Sequence, residues 1–222
     1  MIQFDIITIF PHFFDSFLNE SIIRRAQKQK LIKVRVFDLR DYANDRHRTV
    51  DDKPYGGGRG MVLKLEPMYR IISALSKGKK TKAVLFSPRG KKFNQKIADQ
   101  YSKLKKIILI CGRYEGIDER VAKHLVNEQV SIGDYVMMGG EVAAMAVIES
   151  VARLIPGVLG HSELLRERIE KGSKGFIEFP QYTRPEIFNP KKGVSWKVPK
   201  ELLEGNHKKI EDWRKKHLKT IS

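Results

Sequence analysis

The residues best suited to chemistry lie in three glycine-rich segments. The first, DDKPYGGGRG at residues 51–60, places Asp51 and Asp52 beside three successive glycines. Glycine permits positive φ angles and lets a ligand approach the backbone closely. The segment lacks the Lys-Ser/Thr ending of a P-loop, which disfavours nucleoside triphosphate binding. The carboxylates could instead accept hydrogen bonds from the N1–H and exocyclic amine of a guanine edge; the alternative is a tight connection packed on its own domain.

The second and third segments each follow a predicted buried strand. In ILICGRYEGIDERV, residues 108–121, Glu115 is a candidate to hold ribose hydroxyls, or else an ion-pair partner of Arg113 or Arg120. In SIGDYVMMGGEVAAM, residues 131–145, the Tyr/Val/Met run suits a flat adenine and a thioether, although core packing would also explain it. A shorter run, SPRG, follows another strand. Because ligands bind beyond the carboxyl ends of parallel strands, these segments are expected to converge at one edge of a sheet.

Metal, disulfide and nucleophile chemistry has little support. The six histidines are scattered without a His-x-x-x-His pair, so no metal ligand is assigned. A single cysteine excludes an internal disulfide framework and a multi-cysteine zinc site. That residue, Cys111, ends a predicted buried strand and is expected to be a small core residue rather than a nucleophile. The dinucleotide signature G-x-G-x-x-G is also absent.

Strands and helices alternate along the first 157 residues. Apolar runs predict strands at 2–9, 31–37, 83–86 and 107–110. Helical spacing predicts helices at 11–18, 21–29, 66–75, 93–104, 118–125 and 141–155. This order is typical of an α/β fold with a mostly parallel sheet.

The composition changes after residue 160. Residues 161–175 are almost entirely polar and are expected to form a flexible linker. Residues 176–222 are expected to form a small, basic, mainly helical domain; its last 32 residues carry 10 Lys+Arg against 4 Asp+Glu. Its modest core is predicted at Leu202, Leu203, Ile210, Trp213 and Leu218.

The charge of the chain points to an anionic partner. There are 43 Lys+Arg against 26 Asp+Glu, a formal net charge of +17, which favours nucleic acid over a merely well-solvated surface. The sequence contains no uninterrupted run of about 18 apolar residues, so no membrane span is predicted. No secretory signal is recognised at the start, so a reducing cytoplasm is the expected location.

Seven motifs then occur in a specific order. They are FDIITIFP, the stretch RDY…D-x-H-x-x-VDD-x-PYGGG-x-GMV, the pair Glu66-Pro67, CGRYEGIDERV, SIGDYV-x-x-GGE, ARLIPGVLG and P-x-YTRPE. Any one of them could occur by chance. Together, over about residues 1–190, they closely resemble the bacterial-type tRNA (guanine-N1)-methyltransferase family, with a weaker likeness in the tail.

The resemblance implies a fold and an activity. The fold would be of the SPOUT type, in which domain 1–160 binds the methyl donor and forms a deep trefoil knot, an exception to the usual rules of chain threading. The enzyme would be a homodimer with active sites at the subunit interface. It would transfer a methyl group from S-adenosylmethionine to N1 of the guanine at tRNA position 37, with Mg²⁺ required but without a dedicated protein site.

Two other functions remain open on the sequence alone. A non-enzymatic RNA-binding protein would explain the charge, but it would not need three glycine-rich segments at strand ends. A related knotted methyltransferase could act on ribosomal RNA or on a ribose hydroxyl. The DD-x-PYGGG segment argues against this second alternative, because it belongs to the resemblance with the guanine-N1 enzymes.

The resemblance also carries over site residues by position. Asp51 and the loop around Gly58 would face the target guanine, and Arg153 would lie near the reacting centre. The tRNA would be held by Arg184, Lys208, Lys209, Lys215 and Lys216. The methyl donor would contact Ser87, Pro88, Gly112, Glu115, Ser131, Ile132, Gly133, Asp134, Tyr135, Val136, Met137, Gly139 and Gly140.

A general base is needed because N1 of neutral guanine carries a proton. The family uses a carboxylate, usually Asp, in the linker before the C-terminal domain, and this linker is longer than usual. Counting back from FPQYTRP puts Glu170 in that position, whereas counting forward from GVLG puts Arg168 there. Arginine cannot act as a base at neutral pH. We therefore assign Glu170 as the base, with Glu167 as the fallback.

Overall fold

The computed structural model describes residues 1–160 and 176–221. The chain divides into two compact units, Met1–Ser162 and Glu163–Ser222. The predicted linker 161–175, with Glu167, Arg168 and Glu170, lies outside the described residues. No described helix has the length and apolar character needed to cross a membrane.

The first unit is built on a parallel sheet. Its strands are β1 (Ile2–Thr8), β2 (Ile32–Asp38), β3 (Asp51–Asp52), β4 (Val62–Leu63), β5 (Thr81–Lys92), β6 (Lys106–Ile110) and β7 (Glu128–Ser131). Five of them form a sheet in the order β2-β1-β6-β5-β7, with every neighbouring pair parallel. The predicted α/β fold with a parallel sheet is confirmed, and the trefoil knot stays a prediction.

Helices cover both faces of this sheet. They are α1 (Asp15–Asn19), which follows a 3-10 turn at Pro11–Phe14, then α2 (Ser21–Lys28), α3 (Leu65–Leu75), α4 (Gln95–Ser102), α5 (Glu119–His124) and α6 (Glu141–Ala152). Alternate strand residues face opposite sides, because side chains in a strand have a period of two. Ile6 and Leu109 belong to the apolar cluster under α2, α4 and α6, whereas Ile7 and Ile108 belong to the cluster under α3 and α5. The central strands are thus buried on both faces, as is usual for parallel sheets.

Strand β5 is longer than the predicted strand 83–86. It runs to Lys92, and its register with β7 shifts between Phe86 and Lys91. The SPRG segment, which was expected to follow the strand, therefore lies within it and interrupts its pairing with β7. Gly90 explains how the two strands can stay paired: a Cβ there would lie 2.4 Å from the backbone nitrogen of Val130. The spacing of apolar residues could not reveal this, since the outer half of β5 is polar.

The second unit is mixed rather than mainly helical. Two antiparallel pairs, β8 (Phe176–Glu178) with β11 (Lys219–Ile221) and β9 (Ile187–Lys191) with β10 (Val194–Lys197), accompany α7 (Lys200–Leu203) and α8 (His207–Lys216). The prediction missed these strands because each spans only three to five residues, too few to show a clear period.

The core predicted for the second unit is only partly correct. Trp213 is buried and packs between the Tyr182 ring, 6.0 Å away in an edge contact, and the His217 ring, stacked at 4.2 Å. Leu203 and Leu218 are exposed, so their assignment to the core is wrong. A unit of this size has too little interior to bury every apolar residue.

The start of α6 lies against the end of β6. Gly140 is the residue before the helix, and its nitrogen donates to the oxygen of Gly112 at 3.1 Å. A Cβ on Gly140 would lie 2.7 Å from the Cα of Cys111, although the backbone angles of Gly140 suit any residue. The constraint at this position is therefore close packing and not backbone conformation.

Gly140→Ala should destabilise the protein by about 1–3 kcal/mol, the usual cost of overpacking a close contact. Gly160→Ala is the matched control, because nothing lies within 4 Å of a Cβ at that position. The free energy of unfolding, measured in urea, should fall for Gly140→Ala alone. Equal free energies of unfolding for the two variants would show that β6 and α6 can move apart without loss of stability.

Candidate functional site

One cavity of about 470 Å³ opens at the carboxyl ends of β5, β6 and β7. Its walls come from the SPRG interruption of β5, from the segment after β6 and from the segment after β7. The volume is within the range of small-molecule sites. Convergence of these three segments at one sheet edge is what their positions after strands predicted.

Most of the predicted donor residues line this cavity. They are Ser87, Pro88, Gly112, Glu115, Ser131, Ile132, Tyr135, Val136, Met137, Gly139 and Gly140. Gly133 and Asp134 are not part of the wall. The Asp134 carboxylate pairs instead with Lys92, at 2.5 Å, and the Tyr135 ring fills the space that a Cβ on Gly133 would need. The structure thus brings together residues that are up to 53 positions apart in the chain, from Ser87 to Gly140.

A buried carboxylate lies behind the cavity wall. Glu141, in the first turn of α6, is only 1% exposed. Its Oε1 accepts a hydrogen bond from the hydroxyl of Thr8 at 2.8 Å, and its Oε2 accepts one from Nε of Arg113 at 2.9 Å. Thr8 ends β1 and Arg113 follows β6, so one side chain joins two strand ends and a helix start. Such a carboxylate is stable in the interior only because both oxygens have donors.

Arg113 extends this connection towards the surface. Its guanidinium lies 4.8 Å from the ring centre of Phe10 and 5.7 Å from that of Phe13, in cation–π geometry. A Cβ on Gly139 would meet Nε of Arg113 at 2.4 Å and Oε2 of Glu141 at 2.6 Å. The two glycines before α6 are therefore needed so that the loop can pass over this ion pair and over β6.

The segment 51–60 approaches the cavity from the side. Strands β3 and β4 pair antiparallel, with Asp51 opposite Leu63, and the glycine-rich loop joins them. The nitrogen of Leu63 donates to the oxygen of Gly116, and the nitrogen of Glu115 donates to the oxygen of Met61, both at 3.0 Å. These bonds attach the hairpin of Asp51–Leu63 to the cavity segment after β6.

Glycines in the hairpin serve two different purposes. Gly60 has a φ of +88°, and a Cβ there would lie 2.6 Å from Cγ of Glu115. Gly56, Gly57 and Gly58 also have positive φ, but open space or an ordinary contact surrounds them. Gly60 therefore allows contact with the cavity wall, whereas the other three shape an exposed loop. Among these four glycines, only Gly60 packs closely on another segment of the domain.

Glu115 is exposed at the cavity and makes no ion pair with any residue in the ranges 1–160 and 176–221. Both arginines that could have neutralised it have other partners. Arg113 binds Glu141, and Arg120 binds Asp118 at 2.7 Å, which holds the pKa of the Asp118 carboxyl below its usual value. The salt-bridge alternative for Glu115 is thus wrong, and its carboxylate is available to a ligand.

Two further charged side chains line the cavity and were not predicted. Arg89 donates to the Glu119 carboxylate at 2.7 Å, and this hydrogen bond lowers the pKa of Glu119. The pair joins the SPRG segment to the start of α5. Sequence spacing carried no signal for it, since the two residues are 30 positions apart. Arg113 and Glu141 were visible in the motifs, but their burial was not.

Cys111 is a core residue, as predicted. It is 1% exposed and belongs to the cluster under α2, α4 and α6. Burial, and secondly the nearby charge of Glu141, raise the pKa of its thiol well above the ordinary value. The thiol therefore stays protonated at neutral pH and is a poor nucleophile.

Arg153, another predicted site residue, does not line this cavity. Arg153 follows α6, whose 12 residues separate it by about 18 Å from Gly140. Arg184 and the lysines Lys208, Lys209, Lys215 and Lys216 belong to the second unit. Within residues 1–160 and 176–221, no group of three or more His, Cys, Asp or Glu side chains could hold a metal ion.

Comparisons with known proteins identify the family of this chain. The family model described as tRNA (Guanine-1)-methyltransferase TrmD matches residues 2–221. A tRNA (guanine-N(1)-)-methyltransferase of Dictyoglomus turgidum is 49% identical over 97% of this chain and 84% of its own length. The enzyme of the same name from Carboxydothermus hydrogenoformans is 49% identical over 96% of this chain and 81% of its own.

A solved structure is similar over nearly the whole chain. The crystal structure of tRNA (m1G37) methyltransferase from Aquifex aeolicus has a TM-score of 0.78 and 40% sequence identity, covering 97% of this chain and 88% of that one. The motifs, the parallel sheet and the family match all lead to the same assignment. The chain belongs to the TrmD family of tRNA (guanine-1)-methyltransferases.

Proposed function

We propose that this chain transfers a methyl group from S-adenosylmethionine to N1 of the guanine at position 37 of tRNA. The observation that carries the proposal is the convergence of eleven predicted donor residues on one cavity, with the hairpin of Asp51 attached to its wall. Family membership supports the reaction, and the relatives' names supply the guanine and its N1 atom.

The cavity suits S-adenosylmethionine in size and in chemistry. Ile132, Val136 and Met137 provide apolar contacts for a flat adenine and a thioether-like sulfur. The Glu115 carboxylate, which has no ion-pair partner in the described ranges, could accept hydrogen bonds from ribose hydroxyls. When bound, this cofactor supplies a methyl group that is activated by the positive charge on sulfur. The chain itself has to hold that group and the guanine in line.

The guanine side of the site would be formed by the hairpin. Asp51 is half-buried in β3, and the loop around Gly58 is exposed and free of close contacts. A carboxylate at Asp51 can accept from the amine edge of guanine, and the open glycine loop leaves room for the base. Because the hairpin is bonded to the backbone of Glu115 and Gly116, guanine and donor would share one wall.

A carboxylate must take the N1 proton as the new N–CH₃ bond forms. We assign this step to Glu170, with Glu167 as the fallback, both in the segment outside the described residues. The carboxylates in the cavity wall are weaker candidates, since Glu119 is paired with Arg89 and we assign Glu115 to the ribose.

A second copy of the chain would complete the site. Arg153, assigned near the reacting centre, lies about 18 Å from Gly140 along α6 and does not line the cavity of its own chain. Large apolar side chains of the cavity wall are themselves exposed, among them Val136 at 83% and Met138 at 87%. Exposed apolar groups of this kind mark protein interfaces. A homodimer with active sites at the interface would cover them and could bring the partner's Arg153 to the cavity.

The second unit would hold the tRNA by its phosphates. Arg184, Lys208, Lys209, Lys215 and Lys216 are exposed, and the four lysines lie on α8. Lys209 pairs with Glu204 at 2.7 Å and Lys215 with Glu211 at 2.9 Å, so both would exchange a surface ion pair for a phosphate. Exposed pairs contribute little stability, so this exchange costs little. We also propose that activity needs Mg²⁺ without a dedicated protein site and that the enzyme works in the cytoplasm.

Glu170→Gln should lower the single-turnover rate of methyl transfer by about 10²–10⁴-fold, because removal of a general base has effects of that size. Glu167→Gln is the matched control and should retain the wild-type rate. The assay uses labelled S-adenosylmethionine and an unmodified tRNA transcript with guanines at positions 36 and 37, and nucleoside analysis identifies the product. Loss of methyl transfer in Glu167→Gln alone would assign the base to that residue. If wild type and both variants all fail to form N1-methylguanine, the proposed function is refuted.

Lys208→Glu/Lys209→Glu should weaken tRNA binding and flatten its dependence on salt. Each lost phosphate contact lowers the number of counterions that are released when tRNA binds. Lys191→Glu/Lys192→Glu makes the same charge change at the β9–β10 turn and should have a smaller effect. Filter binding between 50 and 200 mM salt measures both quantities. An unchanged affinity and slope in the α8 variant would contradict the assignment.

A further inference from the structure

Lysines crowd the edge of the sheet opposite the candidate site. The segments that lead into β2, β5 and β6, at 28–33, 77–82 and 103–106, contain ten lysines and no Asp or Glu. None of these lysines belongs to the donor cavity or to the second unit. The proposed function therefore leaves them unexplained.

The sheet arranges these segments in a row. Strand order β2-β1-β6-β5 and the pairing of Ile2 with Ile32 and of Lys106 with both Gln3 and Thr81 bring the four strand starts level with one another. The nitrogen of Lys105 donates to the oxygen of Lys80 at 3.1 Å, so these two segments are in contact. With neighbouring strands about 4.8 Å apart, the row is about 14 Å long.

Few of these charges are neutralised. Lys82 pairs with Glu128 at 2.9 Å, and Lys103 pairs with Asp99 at 2.5 Å. Lys30, Lys80 and Lys105 are exposed and make no ion pair within the ranges 1–160 and 176–221. Unpaired like charges in one row repel one another, so the binding of an anion to this edge lowers the free energy.

A recess at the β5 end of the row adds neutral hydrogen-bond donors. It has a volume of about 320 Å³ and is lined in part by Ser73, Ser76, Thr81 and Asn127. Ser76 and Thr81 flank the segment that holds Lys79 and Lys80. Hydroxyl and amide groups beside lysines are the side chains that contact phosphate oxygens in nucleic-acid complexes.

We propose that this edge, defined by the segments 28–33, 77–82 and 103–106, is a second RNA-binding surface. It binds the phosphate backbone of RNA, whatever the RNA sequence. Protein interfaces are depleted of lysine and rely on aromatic anchors, and these three segments contain no aromatic residue. The same lack of aromatic residues excludes base stacking by these segments, so the contacts are to phosphates. The β6 strand is five residues long, which places this edge about 16 Å from the cavity end of the sheet. The surface therefore acts apart from methyl transfer.

The test compares two double variants with equal loss of charge. Lys80→Gln/Lys105→Gln removes two adjacent cations of the edge. Lys91→Gln/Lys96→Gln removes two exposed lysines from the outer half of β5 and from the start of α4. Binding of a fluorescein-labelled uridine 12-mer is followed by fluorescence anisotropy between 50 and 200 mM salt. This probe contains no guanine, so the result does not depend on the proposed methyl transfer.

The edge variant should bind the uridine 12-mer about tenfold more weakly at 0.1 M salt, with a salt slope smaller by about 1.4, because a single-strand phosphate contact contributes about 0.7. The control variant should match wild type, and circular dichroism should show both variants folded. An equal loss in both variants, or no loss in either, would overturn the proposal. Competition with the RNA by a 12-residue polyglutamate peptide at equal concentration would also overturn the proposal, since the edge would then be a surface for acidic proteins.

Discussion

The site depends on the buried hydrogen bonds that the carboxylate of Glu141 accepts. This carboxylate receives hydrogen bonds from Thr8 and Arg113, and in this way it fixes the end of β1, the segment after β6 and the start of α6 to one another. Leaving one member of a buried pair without its partner typically costs about 3–5 kcal/mol. Side chains at positions 139 and 140 would collide with this pair and with β6, which explains why both residues are glycine.

The rest of the site follows from that fixed point. The segment after β6 carries Gly112 and Glu115 into the cavity and bonds to the hairpin of Asp51, so the cavity wall and the hairpin are held together. Arg113 is also in contact with the rings of Phe10 and Phe13, which are exposed. The buried ion pair is thus connected to an exposed aromatic pair at the surface.

Some of this organisation could be predicted from the sequence, and some could not. Apolar β-branched runs identified the central strands, and glycines after them located the cavity, because both are local patterns. The Glu141–Arg113 pair and the contact of Gly60 with Glu115 depend on segments 28 and 55 positions apart, for which spacing carries no signal. The continuation of β5 beyond Phe86 was missed because polar residues form it. The strands of the second unit were missed because runs of three to five residues are too short to show a clear period.

The most direct test of this account is the affinity for S-adenosylmethionine when the ion pair is broken without a change in shape. Isothermal titration calorimetry on Glu141→Gln should show affinity reduced at least tenfold, because Arg113 loses its partner and the segment after β6 is released. Arg120→Gln, which breaks the exposed pair with Asp118 in the neighbouring turn, should bind the cofactor as wild type does. Unchanged affinity in Glu141→Gln, with the protein folded, would contradict the claim that this buried pair builds the site.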